Sequence, residues 1–148
     1  MLSLINERTQ ASVADIVEVA YSRQARRRGL LGRDSLDDDM ALVLCPCLAV
    51  HTAFMRFPID VVFVDRHGYA VHMVHDLQPW RIAGSLRARA VIELAAGRLK
   101  TSGVALGDRL YLTPGAEGIS IPAECTAPFE HARDTPSIIE RVRPAAGM

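Results

Sequence analysis

Along residues 13–20 (VADIVEVA), Val13, Asp15, Val17 and Val19 alternate with Ala14, Ile16, Glu18 and Ala20. A two-residue period in a stretch this rich in β-branched side chains predicts a strand. Further short apolar or alternating runs, each bounded by Pro, Gly or Asp, predict strands at 40–45, 51–56, 59–65, 69–75, 88–95 and 108–113. In IDVVFVD (59–65) the run from Val61 to Val64 is unbroken, so both of its faces must be covered, as in a central strand. Arg66, His67 and Gly68 make the connection to Tyr69, which predicts a β-hairpin with Gly68 at positive φ. ARAVIELA (88–95) has helical propensity as well, but its length and the nearby Gly97 favour a strand.

Helical signals are few. Ser22 is placed to cap a short helix through SRQARRRGLLG (22–32), with Gly29 or Gly32 ending it. The Asp- and Ser-rich residues 33–39 then form a turn. No internal repeat appears. The pattern predicts a mainly β fold, a small barrel-like or sandwiched sheet with one or two short helices (α+β), built as a single domain over residues 13–113. Five of the eight prolines fall at 114, 122, 128, 136 and 144, so residues 114–148 read as a partly ordered extension. Within it, Ser120 and Ile121 could add an edge strand. Thr135 and Pro136 open a brief helix with Ile138, Ile139 and Val142 on its apolar face, and the last few residues are expected to be disordered.

Composition changes this picture mainly by exclusion. The chain has 17 basic and 17 acidic side chains and no formal net charge, so whole-molecule electrostatics draw it neither to nucleic acid nor to an anionic membrane. Cys45 and Cys47 are separated only by Pro46 and the third cysteine is Cys125, an arrangement that suits a reducing compartment. Glu7 and Arg8 interrupt any apolar leader, and the uncharged stretch at 40–50 contains a proline and falls short of the roughly 18 apolar residues a membrane span needs. A cytoplasmic protein with no membrane insertion is the expectation.

Candidate chemistry centres on residues 51–93. In strand geometry His51, Ala53 and Met55 share one face and Thr52, Phe54 and Arg56 the other, while Asp60 lies with Val62 and Val64 on a covered face. A covered carboxylate must find donors or take up a proton; Arg56 and Arg81 are candidate partners, and backbone amides near the Pro58 turn are the plainer alternative. His51, Asp60, Arg81 and Glu93 are expected to gather at one end of the barrel as a polar pocket walled by Met55 and Trp80. This describes a ligand- or protein-binding module with no assigned reaction. Its partner is an unknown small molecule or a protein, the latter held at the loop of Pro79, Trp80 and Arg81. The alternative is a hydrolase-type enzyme using Asp60 or Glu93 with His51 as acid and base.

Soft metal ligands are numerous at Cys45, Cys47, His51, Met55, His72, Met73 and His75. Cys-Pro-Cys lacks the usual ligand gap, however, and His72 and Met73 point to opposite strand faces, so soft-metal binding ranks last and no metal or cofactor is expected. Neither a G-x-S-x-G elbow nor a phosphate-binding P-loop is present. Arg26, Arg27, Arg28 and Arg33 precede Asp34, Asp37, Asp38 and Asp39, which predicts mutual pairing in place of RNA contact. Phe54, Phe57 and Trp80 do not interleave with basic residues as a stacking platform would, so no nucleic-acid partner is expected.

Taken in order, RRRGLLGR (26–33), HTAFMRFPIDVVFVDRHGYAV (51–71), PWR (79–81), VIELAAG (91–97) and GDRL (107–110) resemble the bacterial and archaeal family catalogued as domain of unknown function 192. The resemblance spans about residues 13–112. It implies a small, mostly β, barrel-like domain with a short helix after the first strand, in a family without an assigned activity. The residues Phe54, Met55, Arg56 and Phe57, and Leu31 where methionine is usual, depart from the common pattern. They resemble a subgroup with H-T-x-x-M-x-x-P-I-D, some of whose members lie near pilus-assembly genes, so a pilus-assembly context is implied by analogy only.

Overall fold

The computed structural model describes residues 2–113, which form nine strands and two short helices. The expectations for Ser120, Ile121 and the helix after Thr135 lie outside the described residues. Seven strands build one sheet in the order β6-β5-β8-β3-β2-β1-β9. These are β1 (Leu2–Asn6), β2 (Ser12–Ala20), β3 (Met40–Leu44), β5 (Ile59–Val64), β6 (Ala70–Leu77), β8 (Ala90–Ala95) and β9 (Leu110–Thr113). The remaining two, β4 (Ala49–His51) and β7 (Ile82–Gly84), pair as a separate antiparallel ribbon.

The mainly β expectation holds, and the long apolar runs behave as read. All six residues of β5 and all six of β8 are buried, because each strand has a neighbour on both edges and a packed layer on both faces. The β5–β6 hairpin turns at Gly68 (φ 85°), where Asp65 Oδ1 accepts from the amides of His67 and Tyr69. Ser22 caps α1 (Arg23–Arg28) by accepting from the Ala25 amide at 3.0 Å, and Gly29 ends it at φ 45°.

Sheet neighbours are antiparallel except β2 and β3, which run parallel. A parallel pair cannot be joined by a tight turn, so the chain from Ala20 to Met40 crosses over one face of the sheet and carries α1 with it. The sheet curls until its edges nearly meet. A bridge joins Tyr69 to Arg109, and the Ala70 amide donates to the Asp108 carbonyl at 2.8 Å. Leu4, Val43, Val62, Ile92, Leu94 and Leu110 fill the inside of this half-barrel, plugged by Leu99 of α2 (Arg98–Ser102). Burying each such side chain contributes about 2 kcal/mol. A second core lies on the outer face, where Leu42, Leu44, Val61, Phe63 and Val91 are covered by Leu30 and Leu36 of the crossover and by Val50 and Met55.

Three elements were not anticipated: β1, which supplies Leu2 and Leu4 to the core, β7 and α2. One expected strand is corrected. Of residues 51–56 only His51 is extended sheet; Thr52 leaves the ladder because its buried hydroxyl donates to the Gln78 carbonyl at 2.7 Å and accepts from the Arg81 amide at 2.8 Å. The face assignment based on strand alternation beyond His51 therefore does not apply. Among the described residues no helix is long and apolar enough to cross a membrane.

Candidate functional site

Glu93 sits in the middle of β8, paired across to Val61 of β5 and Leu42 of β3. Its side chain points to the outer face, where the crossover and the β4–β7 ribbon leave a cavity of about 80 Å³. Leu30, Leu31, Leu44, Val50, Met55 and Cys47 wall this cavity; Arg26, Arg27, Arg28 and His51 also border it. Glu93 is only 4% exposed, and its Oε2 is the buried side-chain oxygen that finds no hydrogen-bond partner among the described residues. Burial raises its carboxyl from 4.5 to about 7, and the charge of Arg33 only partly offsets that. A carboxyl poised in this way can donate its proton to a guest's oxygen near neutral pH, and as pH rises it becomes a buried anion. Burial also holds the Cys47 thiol above its ordinary value, and its Sγ donates to the Ala49 carbonyl at 3.1 Å, so Cys47 forms part of the wall and is not an activated nucleophile.

Of the residues singled out in the sequence, His51, Met55 and Glu93 do come together at this cavity. The other four do not. Asp60 is paired with Leu94 and lies on the inside of the half-barrel, the face opposite to Glu93, so the two carboxyls cannot act on one substrate. Neither Arg56 nor Arg81 reaches it. The fully buried Asp60 accepts from the Asp76 amide and the Leu99 amide, both at 2.9 Å, tying β5 to the end of β6 and to α2. The plainer expectation that it satisfies backbone amides is correct, although those amides come from distant elements and not from the Pro58 turn. Arg56 pairs with Asp34 in an exposed bridge. Trp80 packs against Phe54 outside the cavity with the rings tilted by 59°, and Arg81 is exposed beside it.

The arginines of the crossover were read as partners of the following aspartates. Arg33 instead pairs with Glu18 of β2 at 2.7 Å. Arg27 and Arg28 are exposed on the cavity rim, a placement that follows from the parallel β2–β3 connection. Among the described residues no three His, Cys, Asp or Glu side chains gather as a metal site. Of the soft ligands, Cys47, His51 and Met55 share the cavity, whereas Cys45, His72, Met73 and His75 do not line it.

A wider concavity of about 480 Å³ lies where the sheet edges approach, lined by Glu7, Arg8, Tyr69, Asp108 and Arg109 among others. Its charges are already paired. Arg109 meets Glu7 at 2.9 Å, and Arg8 grips Asp108 through Nε at 2.7 Å and through a terminal nitrogen at 2.9 Å. Asp108 also accepts from the Asn6 side-chain amide and the Ala105 backbone amide. The Arg8 guanidinium and then these two donors, working against burial, lower the Asp108 carboxyl to about 2. A depressed carboxyl adds stability above its unfolded value and loses it as pH falls towards the folded value. Asp108→Asn should therefore cost about 1 to 2 kcal/mol at neutral pH, with the deficit shrinking towards pH 2 in urea unfolding. A deficit that stayed constant with pH would refute this assignment.

A curled seven-stranded sheet, its two edges bridged between Tyr69 and Arg109, with a small outer cavity over one buried carboxyl, defines the class of domain. The chain belongs to the family known as domain of unknown function 192 (DUF192, uncharacterized ACR), which matches residues 4–112. Two crystal structures are similar, each over 74% of this chain with a TM-score of 0.64. One is a candidate transcription regulator from Sinorhizobium meliloti 1021, 26% identical and covered over 89% of its chain. The other is a protein of unknown function from Novosphingobium aromaticivorans DSM 12444, 17% identical and covered over 81%, a likeness of fold alone. No functionally curated protein matches the chain.

Proposed function

We propose that this protein binds a small carboxylic or hydroxycarboxylic acid at the Glu93 cavity. The observation that carries this reading is the partnerless Glu93 Oε2, buried at the wall of a cavity that borders three arginines. Leaving a buried oxygen unsatisfied costs about 1 to 3 kcal/mol, a penalty that a guest bearing a hydrogen-bonding group would remove. A volume of about 80 Å³ accepts a group of a few heavy atoms, comparable to two or three waters, while Arg27 and Arg28 stand ready for an anionic group outside. Binding is favoured over hydrolysis because Asp60 is on the other face and no hydrogen bond orients His51 towards Glu93 among the described residues. A ligand-reporting domain also accords with a relative described as a candidate transcription regulator.

The test is thermal unfolding at pH 6 with acetate, lactate, pyruvate and succinate. A ligand at about ten times its dissociation constant adds about 1.4 kcal/mol, which raises Tm by about 4 °C. Glu93→Leu should abolish the rise. No shift with any of the four acids, or an equal shift in Glu93→Leu, would refute the reading.

A further inference from the structure

Eight large apolar side chains are exposed among the described residues, and five of them, Leu48, Phe54, Trp80, Ile82 and Leu86, belong to the β4–β7 ribbon and its flanks. Ile82 is 81% exposed and Leu86 95%. The ribbon cannot turn to hide them, because Val50 and Ala83 on its other face are packed into the outer core. Nor are the aromatics loose. Phe54 and Trp80 both hold φ at 65°, a conformation that non-glycine residues seldom adopt, and their rings meet with centroids 4.6 Å apart. Thr52 fixes this arrangement: its amide donates to the Arg81 carbonyl at 2.8 Å, its carbonyl accepts from the Trp80 amide at 3.0 Å, and its hydroxyl bonds both ends of the 78–81 loop.

The charge around this patch is one-sided. Segments 46–58 and 78–89 hold four arginines (Arg56, Arg81, Arg87 and Arg89) and no Asp or Glu, in a chain with no formal net charge as a whole. Asp34 engages Arg56; Arg81 and Arg87 are exposed and make no ion pair among the described residues. Trp and Arg are the residue types that dominate protein–protein hot spots, and a guanidinium fork fits a carboxylate with two parallel hydrogen bonds. A pre-ordered aromatic pair presents a fixed shape, which a protein surface can match and a fluid lipid surface does not require.

We propose that the outer face of the β4–β7 ribbon, with Trp80 and Ile82 as anchors and Arg81 and Arg87 beside them, docks a segment of another protein in which Asp or Glu flanks large apolar side chains. Selection of phage-displayed random peptides of about twelve residues on the full chain tests this. The selected peptides should be enriched in Asp and Glu beside aromatic or aliphatic residues. Trp80 is the sole tryptophan, so a synthetic copy of the selected peptide should change its emission directly. Affinity should drop about tenfold in Ile82→Asp and in Arg81→Glu, and severalfold between about 50 and about 300 mM salt. Glu93→Leu should bind the peptide normally, so failure here is separable from failure of the cavity reading. Peptides without acidic enrichment, binding unchanged in Ile82→Asp, or a Trp80 response to phosphatidylserine–phosphatidylcholine vesicles but to no selected peptide would each overturn the proposal.

Discussion

Asp60→Ala is expected to remove about 3 kcal/mol of stability, enough to lower Tm by about 10 °C. The carboxylate is fully buried and each oxygen accepts one backbone amide, from Asp76 and from Leu99. Alanine would leave the Leu99 N–H in the interior with no acceptor, at about 1 to 3 kcal/mol, and would take the acceptor from the part-buried Asp76 N–H, which water relieves in part. The loss should concentrate on the two elements those amides belong to. Hydrogen exchange should show α2 and the end of β6 opening before the central strands. Asp60→Asn retains one acceptor oxygen but turns an NH₂ group towards the second amide, so it should fall between wild type and Asp60→Ala. Urea unfolding that finds Asp60→Ala within about 1 kcal/mol of wild type would show that Asp60 does not clamp these elements.

The second large effect concerns pH. Burial moves the Glu93 carboxyl from 4.5 in the open chain to about 7 in the fold, so the native state holds this proton more tightly than the unfolded state does. The resulting stability is complete below pH 4.5 and is lost as pH rises through about 7. At about 1.4 kcal/mol per pKa unit, the full swing is about 3 kcal/mol. Glu93→Gln cannot ionise and should flatten the profile; Glu93→Leu should be the more stable protein at pH 8. Unfolding free energies measured from about pH 5 to about pH 8 decide the matter, and a slope that survives in Glu93→Gln would have to come from another group. Asp108 acts in the opposite sense at lower pH, so these two groups together place the stability maximum near pH 4.

What could be read from the sequence followed local physics. The β5 and β8 runs, the Gly68 turn and the Ser22 cap each depend on residues a few positions apart. Strand β1 was missed although Leu2 and Leu4 alternate with Ser3 and Ile5, because what makes those five residues a strand is pairing with residues 12–17 and 110–113. The strand expected at 51–56 failed where a threonine hydroxyl took over backbone groups from a loop nearly thirty residues away. The candidate site was half legible. A two-residue period correctly put Asp60 with Val62 and Val64, but the register that sets Asp60 against Leu94 and Val61 against Glu93 is a property of two strands together. That register alone decides that the two acids face apart. The rimming arginines were equally out of reach, since they belong to the site only through the parallel crossover.

The place of β1, between β2 and β9, bears on how the molecule is made. Ser3 lies opposite Thr113, so the ribosome must deliver the whole stretch between them before that seam can zip. Until then the emerging chain exposes Leu2 and Leu4 beside an unfinished strand edge, the kind of surface that chaperones shield and that sticks to its neighbours when they do not.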